Sequence, residues 1–292
     1  MHEGLVSVLL LSMNHELYVE QSCISVINQS YRNIEVLYVD NNSSDKTFEI
    51  ADKIFKNSGL PYKGYKRKEN YGISANLNFL LKEAKGEFVA VLSGDDWWEN
   101  ENLQLKVDKL IANPEFGLVH SNGHRYFEQE KKFRVFYEKE QKSGYLFEDL
   151  LSGNLFSATS IVYRYEAMKA VGFFDEKMTI EDWDMNLRVA EKYMIGYLHK
   201  PVTYVRITRK NTSSNIEFMD NGYEYYLEKY AKYPQMKEAK RNLKLAHAYE
   251  LATFSPGLKS LGYILKNFQW KQNYFKQIVR CVAGMIGIRA KK

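Results

Sequence analysis

The chain has 292 residues, of which 45% are hydrophobic and 26% are charged; these values exclude disordered, collagen-like and low-complexity classes. The net charge of +5 belongs to the C-terminal segment, because residues 251–292 hold eight Lys/Arg and no Asp or Glu. The remainder is net acidic, so no nucleic-acid partner is expected. Two cysteines, Cys23 and Cys281, lie far apart, which excludes a disulfide framework and a Cys-rich zinc site and favours a reducing compartment.

No targeting or membrane-spanning segment is predicted at the N-terminus. The apolar run at residues 5–12 is shorter than the ~20 residues that a spanning helix requires. A signal peptide has a basic start, and the acidic Glu3 stands where that start would be. The run is therefore interpreted as a buried strand, and the protein is expected in the cytoplasm.

Apolar runs alternate with helical patterns in the N-terminal part of the chain. The runs predict buried strands at residues 6–12, 34–39, 62–66, 88–92 and 117–120. Apolar residues at helical spacing lie between the strands, and Gly59 and Gly86 end the second and third predicted helices. This order predicts an α/β, Rossmann-like fold with a mostly parallel sheet and helices on both faces.

The pattern changes after residue 121. The later elements are predicted as a hairpin or mobile loop, a strand, a helix and a strand, at residues 126–137, 160–164, 182–193 and 202–207 respectively. From residue 216 onward the pattern is helical. We therefore predict one domain over residues 1–215 and a helical, basic extension over residues 216–292.

Polar residues follow three of the predicted strands at their carboxyl ends: Asn14, the run 40–42, and the pair Asp95-Asp96. Ligands of open α/β sheets bind at that edge, so these residues are expected to converge on one site. No Gly-x-Gly-x-x-Gly motif follows the first strand, and no Walker-type Gly-Lys-Ser/Thr is present. Classical dinucleotide binding and P-loop nucleotide hydrolysis therefore lack support.

The pair Asp95-Asp96 is the strongest single indication of a metal site. Adjacent like charges repel, so they need a cation or hydrogen-bond donors nearby. Carboxylate oxygens together with a diphosphate are a usual way to hold Mg²⁺ or Mn²⁺. The alternative is ordinary helix capping before Trp97-Trp98.

A second acidic cluster surrounds Asp182, which is predicted to begin a helix. The helix dipole and the free N–H groups there stabilise an anion, so the carboxylate would be held ionised. A positioned carboxylate can remove a proton from a sugar hydroxyl as that hydroxyl attacks. The alternative is an ordinary N-cap, and on Asp182 alone it would be the better interpretation.

Five segments, taken in order, resemble glycosyltransferase family 2, whose members have the GT-A fold. They are residues 6–16, like the family's first strand and turn; 39–47, similar to V-D-D-G-S-T-D-G-T; 69–78, similar to E-N-x-G-x-S-x-A-x-N; 93–96, in the place of D-x-D; and 181–184, like the E-D motif. The resemblance covers residues 5–215. Its strength lies in the order and spacing of motifs that are individually weak.

The resemblance implies an inverting, metal-dependent transfer of a sugar from a nucleoside-diphosphate sugar, chiefly a UDP-sugar. The implied acceptor is a glycan or a lipid-linked glycan in bacterial cell-surface polysaccharide synthesis. Asp182 would be the general base, and Glu181 and Trp183 would bind the acceptor. Residues 1–121 would form the nucleotide-sugar-binding half and residues 122–215 the acceptor-binding half.

The resemblance also implies a metal and a donor site. Asp95 and Asp96 would hold Mn²⁺ or Mg²⁺ on the diphosphate. The implied donor-binding residues are Ser12, Asn14, Asp40 (on the base), Asn70, Gly72, Asn76, Ser93, Asp95 and Arg206. Ser93 departs from the first Asp of D-x-D, and Thr208 stands where the family often has a His. Positive charge for the diphosphate is expected from Arg206, Arg209 or Lys210.

The basic C-terminal segment predicts a surface helix. Apolar stripes recur at residues 261, 264, 265 and 268 and at 275, 278, 279, 282 and 286. Lys276 and Arg280 flank the second stripe, with Trp270 and Tyr274 nearby, which is typical of a helix in an anionic membrane interface. We predict a membrane-surface contact through residues 258–292, on the inner face of the plasma membrane. A helix packed on the body and a dimer contact are the alternatives.

Two rival functions remain open on the sequence alone. One is a non-catalytic partner subunit of the same fold, which the departure at Ser93 motivates. The other is a nucleotidyltransferase, which usually carries a Gly-rich, basic loop after its first strand; Met13-Asn14-His15 is not such a loop. The transferred sugar, the acceptor, the linkage and the oligomeric state are not predicted.

Overall fold

The structure, a computed structural model, describes residues 1–208, 211–254, 256–268 and 274–286. The predicted residues Arg209, Lys210, Trp270 and Lys271 lie outside the described residues. The chain divides into two compact units, which we call the sheet unit (Met1–Leu150 and Asn154–Arg206) and the helical unit (Leu151–Gly153 and Ile207–Lys292). The functional division of residues 1–215 at residue 121, and the extension from residue 216, stay predictions.

One nine-stranded sheet contains the strands of the described chain. They are β1 (His2–Ser12), β2 (Ile34–Asp40), β3 (Tyr62–Lys66), β4 (Gly86–Ser93), β5 (Trp97–Trp98), β6 (Phe116–Phe127), β7 (Lys132–Val135), β8 (Ile161–Arg164) and β9 (Met194–Ile207). The order across the sheet is β3-β2-β1-β4-β8-β6-β9-β5, and β7 pairs with β6. The strands β3, β2, β1 and β4 are mutually parallel.

Helices surround the sheet and make up most of the helical unit. In chain order they are α1 (Val19–Ile27), α2 (Thr47–Lys56), α3 (Ile73–Glu83), α4 (Asn102–Ala112), α5 (Phe147–Ser152), α6 (Tyr165–Ala170), α7 (Glu181–Ala190), α8 (Ile216–Lys229), α9 (Met236–Phe254), α10 (Leu258–Lys266) and α11 (Tyr274–Met285). Within the described residues, no helix is long and apolar enough to cross a membrane.

Burial explains why the first strands are recognisable in the sequence. Every residue of β2 is buried, and the central residues of β1 are buried as well. A strand that is covered on both faces must be apolar along its length, which is the pattern that predicted β1, β2 and β4. The edge strand β3 is only partly buried, and its sequence signal is correspondingly weaker. All five predicted strands of the N-terminal part are confirmed; β3 has the predicted bounds, and the other four are longer than predicted.

Beyond β4 the sheet contains antiparallel pairs, whose order the sequence did not predict. The neighbour of β4 is β8, which runs antiparallel to both β4 and β6, so β6 does not continue the parallel array directly. The segment predicted as a hairpin or loop is a hairpin, in which Phe127 of β6 pairs with Lys132 of β7. Local pattern predicted the strands; their neighbours were set by long-range pairing, which the pattern does not record.

The strand register places the predicted polar residues at one edge. Ser12 of β1 lies opposite Asp40 of β2, and Leu11 lies opposite Ser93 of β4. Asp40 also lies opposite Lys66, the last residue of β3. Because these strands are parallel and end together, the loops after them begin at the same edge, as expected from the sequence.

Candidate active site

The loops that follow β1 and β2 are hydrogen-bonded to each other. Asn14 has a positive φ of 56°, which asparagine tolerates better than most residues. Its Oδ1 accepts hydrogen bonds from the backbone N (2.9 Å) and Oγ (3.1 Å) of Ser44, and its own N donates to Ser43 Oγ (2.8 Å). The N of His15 donates to Thr47 Oγ1 (2.8 Å). Asn14 therefore fixes one loop against the other.

Asp40 organises this pair of loops from inside. Its side chain is fully buried. Oδ1 accepts from the backbone N of Ser43 (2.8 Å), and Oδ2 accepts from the hydroxyls of Ser43 and Ser12. The Ser12 hydroxyl also contacts the Tyr38 hydroxyl (2.7 Å). This geometry favours a role for Asp40 and Ser12 in shaping the loop after β2 over a direct contact with a base, and the donor-binding role of both residues stays a prediction.

Asn41 joins the loop after β2 to the segment before α3, and the sequence analysis drew nothing from it. It is nearly buried, and its Oδ1 accepts from Tyr71 N (3.0 Å) and from Asn76 Nδ2 (2.8 Å). Its Nδ2 donates to Asn70 Oδ1 (2.8 Å). An aspartate could accept the first two bonds but could not donate the third. The amide at a position where the family pattern has Asp was the signal that could have identified this residue.

The predicted donor-binding residues Asn70, Gly72 and Asn76 are brought together at this point. Gly72 has φ = 81°, a conformation that suits glycine, and its N donates to Asn70 Oδ1 (2.9 Å). Its carbonyl accepts from Asn76 Nδ2 (2.7 Å). Asn76 Oδ1 is buried and has no hydrogen-bond partner among the described residues, so it is available to a donor group on a ligand.

Asp95 is the outward-facing member of the first acidic pair. The Ser93 hydroxyl donates to Asp95 Oδ1, and the Arg206 Nε donates to the Asp95 carbonyl (3.0 Å). The Asp95 Oδ2 lies 4.0 Å from His15 Nε2. One carboxylate oxygen is therefore bonded to protein, and the other faces the loop after β1.

Asp96 faces the interior. Its Oδ1 accepts from the backbone N of Arg206 (2.9 Å), and its Oδ2 accepts from Thr159 Oγ1 (2.6 Å). Burial, and then the charge of Asp95, raise the pKa of Asp96 well above its usual range. The geometry therefore favours Asp95, and not Asp96, as the carboxylate available to a cation, while the metal role of both stays a prediction.

Arg206 is also turned inward. Its Nη1 pairs with Glu128 Oε2, and its Nη2 donates to Gln21 Oε1 (2.5 Å). Its guanidinium carbon lies 4.5 Å from the ring centroid of Tyr18 and 4.8 Å from that of Trp97. These contacts hold β9 against the turn that carries Asp95 and Asp96, and they favour a positioning role over direct contact with a diphosphate.

The second acidic pair opens into a cavity of about 110 Å³. Its lining consists of Leu11, Ile73, Leu77, Val91, Leu92, Ser93, Ala158, Thr159, Tyr163, Phe174, Glu181 and Asp182. Ser93 at the end of β4 and Asp182 at the start of α7 therefore share one hollow. The walls are otherwise mainly apolar, which strengthens the electrostatic effect of the carboxyl groups on each other.

Burial dominates the charge state of this pair. Burial, and then the charge of Asp182, raise the pKa of Glu181 to about 8. Burial also raises the pKa of Asp182, against hydrogen bonds from Trp183 N (2.7 Å) and Asn154 Nδ2 (3.2 Å). Desolvation therefore outweighs the N-terminal N–H groups in the direction of this pKa shift, and the ionised state expected for Asp182 stays a prediction.

The two predicted acceptor residues lie in different environments. Glu181 lines the cavity, whereas the Trp183 indole is buried and its Nε1 donates to the Leu150 carbonyl (2.7 Å). The geometry therefore favours Trp183 as a support that anchors α7. Direct contact of either residue with an acceptor stays a prediction.

The described residues contain no group of three or more His, Cys, Asp and Glu side chains that could hold a metal ion by themselves. Asp95 nevertheless fits a cation that is completed by ligand oxygens, since only its Oδ1 accepts a bond from Ser93 and its Oδ2 lies 4.0 Å from His15 Nε2. Mg²⁺ in nucleotide enzymes is commonly bound in this way, through one or two carboxylates and the phosphates of the substrate.

The family model "Glycosyl transferase family 2" matches residues 7–172, more than half of the chain. The chain therefore belongs to glycosyltransferase family 2, and it is a glycosyltransferase, as predicted. The match ends before α7, so it includes Asp40 and Asp95 but not Asp182.

Individual relatives agree with this assignment. An uncharacterized glycosyltransferase of Haemophilus influenzae is 28% identical over 215 residues, which are 74% of this chain and 84% of that protein. The Escherichia coli protein WfgD, a UDP-Glc:alpha-D-GlcNAc-diphosphoundecaprenol beta-1,3-glucosyltransferase, is 33% identical over 113 residues, which are 39% of this chain and 44% of WfgD. A solved structure has a similar fold: the mannosyltransferase PcManGT from Pyrobaculum calidifontis, in complex with GDP-Man and Mn²⁺. The two folds match with a TM-score of 0.64 at 17% sequence identity. The match covers 96% of this chain and 86% of that chain. The predicted GT-A fold is confirmed.

Proposed function

We propose that the protein transfers a sugar from a nucleoside-diphosphate sugar, specifically a UDP-sugar, with inversion at the anomeric carbon and with the help of a divalent cation. The observation that carries this proposal is the shared cavity, which places Asp182 of α7 beside Ser93 at the carboxyl edge of the sheet. Ser93 is in turn bonded to Asp95. The proposed base thus lines the same hollow as Ser93, the residue that is bonded to the proposed metal ligand Asp95.

Asp182 is the proposed general base. It takes the proton from the acceptor hydroxyl as that oxygen attacks the anomeric carbon, and the nucleoside diphosphate leaves from the opposite face. The raised pKa of Asp182 makes it a better proton acceptor than an exposed carboxylate. Glu181 holds a proton near neutral pH, so the pair carries one negative charge, which belongs to Asp182 in this proposal.

Asp95 is the proposed protein ligand of Mn²⁺ or Mg²⁺. When bound, the cation would neutralise the charge that develops on the diphosphate. The structure of PcManGT, which has a similar fold, contains GDP-Man and Mn²⁺, and this supports a nucleotide sugar and a divalent cation as ligands here. Asn70, Gly72 and Asn76, held together by Asn41, would bind the nucleotide, with Asn76 Oδ1 as a free acceptor.

The proposed acceptor is a glycan or a lipid-linked glycan of a bacterial cell surface, at the cytoplasmic face of the plasma membrane. The similarity to WfgD, which acts on a diphosphoundecaprenol-linked GlcNAc, supports this class.

The decisive experiment is Asp182→Asn in a transfer assay with a panel of UDP-sugars. We expect kcat to fall about 10²–10⁴-fold with unchanged thermal unfolding. Asp108→Asn, an exposed carboxylate of α4, is the matched control. Normal transfer by the Asp182 variant would refute the assigned base.

Contact with an anionic lipid surface is part of the proposal and rests on α11. The exposed residues of its described segment are Phe275, Lys276, Val279, Val282, Met285 and Ile286. Five of these six are apolar, while Tyr274, Gln277 and Cys281 on the opposite side are buried. Because the segment 251–292 has eight basic and no acidic residues, an anionic surface is the partner that its charge fits.

Vesicle sedimentation tests this contact. We expect binding to vesicles that contain phosphatidylglycerol, little binding to pure phosphatidylcholine, and loss of binding in Val279→Ser/Val282→Ser. Ile111→Ser, an exposed apolar residue of α4, serves as the control. If the double variant instead dissociates a dimer in size-exclusion chromatography and leaves vesicle binding unchanged, the face is a subunit contact and the lipid proposal fails.

A non-catalytic partner subunit is the second candidate, because Ser93 replaces a carboxylate and Asp96 is turned inward. Calorimetry separates the two. Binding of UDP that strengthens with Mn²⁺ supports the enzyme, and the absence of binding by any nucleoside diphosphate supports the partner role.

A further inference from the structure

The imidazole ring of His15 lies beside Asp95 without a protein hydrogen bond. Its Nε2 is 4.0 Å from Asp95 Oδ2, which is beyond hydrogen-bond distance. Its Nδ1 is buried and has no partner among the described residues. Nε2, the other ring nitrogen, is therefore the one that faces the Asp95 carboxylate.

The position of His15 is built into the loop. Its N donates to Thr47 Oγ1 (2.8 Å), and its carbonyl accepts from Tyr18 N and Val19 N (2.8 Å each) at the start of α1. Gly94 lets the ring approach the turn before Asp95, because a Cβ there would lie 2.9 Å from His15 Nδ1. The backbone therefore holds the ring against this turn.

We propose that His15 is a second protein ligand of the divalent cation, together with Asp95; this inference rests on the proposed metal-dependent transfer. Two ligand atoms that are each about 2.1 Å from one ion lie from about 3 Å to about 4.2 Å apart, depending on their angle. The 4.0 Å between His15 Nε2 and Asp95 Oδ2 lies in this range. One ion can therefore contact both.

The inference accounts for the departure at Ser93. The D-x-D pattern has two carboxylates on one turn, whereas here Ser93 carries a hydroxyl that is bonded to Asp95. His15 brings a ligand from the end of the neighbouring strand β1 in place of the missing one. An imidazole nitrogen suits a first-row transition metal better than Mg²⁺, so this site should prefer Mn²⁺.

The test is the spectrum of bound Mn²⁺ in the presence of UDP. In the full-length protein, electron spin-echo envelope modulation should detect ¹⁴N coupling from a directly bound imidazole. His15→Ala should abolish that coupling and raise the apparent Kd for Mn²⁺ about tenfold or more. His2→Ala, an exposed histidine at the opposite end of β1, should change neither quantity.

A second variant keeps the test independent of folding defects. His15→Asp replaces the nitrogen by a carboxylate oxygen, so we expect the ¹⁴N signal to vanish while Mn²⁺ still binds and Mg²⁺ competes better. Bound Mn²⁺ without ¹⁴N coupling in the unmodified protein would overturn the assignment of His15 and leave the proposed function standing. Failure of Mn²⁺ to bind with UDP at all would instead overturn the metal dependence itself.

Discussion

The two acidic pairs of the sheet unit have the same sequence character and different environments. Asp95 and Asp96 point in opposite directions, one toward the loop after β1 and the other into hydrogen bonds with Thr159 and Arg206. Glu181 and Asp182 both line one cavity. In one pair of adjacent carboxylates, therefore, one member can be available to a ligand while the other holds the structure together. In the other pair, the two members can share one proton. The direction of the side chains decides which.

The largest effect should come from removing the inward member of the first pair. Asp96→Ala removes the carboxylate that accepts the buried hydrogen bonds from the Arg206 N–H and the Thr159 hydroxyl, and we expect it to lower the free energy of unfolding by about 3 kcal/mol. Urea unfolding measures the change. Asp95→Ala is the comparison, with an expected loss below about 1 kcal/mol because fewer buried donors depend on it. Equal losses in the two variants would show that the pair is not divided as described.

The shared proton of the second pair should appear in the pH dependence of stability. The folded-state pKa of Glu181, about 8, lies above its ordinary value of 4.5. The native state therefore retains a proton that the unfolded state releases, and the free energy of unfolding falls as the pH rises from about 4.5 to about 8. Glu181→Gln removes this loss, so we expect the variant to gain about 4 kcal/mol over the unmodified protein between pH 5 and pH 8.5. The control is Glu166→Gln, which replaces an exposed carboxyl group of α6. Its free energy of unfolding should differ from that of the unmodified protein by an amount that does not change with pH.

A smaller effect should follow from Asn41, which lies outside both pairs. Asn41→Asp loses the bond to Asn70 Oδ1 and places a carboxylate against that oxygen. We expect KM for the sugar nucleotide to rise about tenfold, equivalent to about 1.4 kcal/mol, with a smaller change in kcat. The exposed neighbour Asn42 gives the control Asn42→Asp. A fall in kcat at constant KM would mean that Asn41 acts on the chemical step.

Periodicity in the sequence was enough to predict the strands and the edge where the polar residues meet. In the structure Ser12 lies opposite Asp40, and Leu11 lies opposite Ser93, so the polar residues meet at the predicted edge. The inward turn of Asp96 could not be predicted, because its partners Thr159 and Arg206 lie 63 and 110 residues away in the sequence. Local spacing carries no information about such partners.

The apolar stripe of α11 also shows that local spacing does not reveal which residues a side chain packs against. The sequence placed residues 275, 278, 279, 282 and 286 on one apolar face of a helix. In the structure, four of these residues are exposed and Ile278 is partly buried. The buried side of α11 is instead centred on Tyr274 and Cys281. Apolar residues at helical spacing predict a helix, but the face of the helix that is buried is set by its packing in the folded protein.

The interlocked loops after β1 and β2 restrict how this part of the chain can diverge. Asn14 depends on Ser43 and Ser44 for its bonds, and His15 depends on Thr47. An insertion in one loop would remove the hydrogen-bond partners of polar groups in the other loop. Among homologues, length changes in these two turns should consequently occur together, and chimeras that exchange only one of them should express poorly.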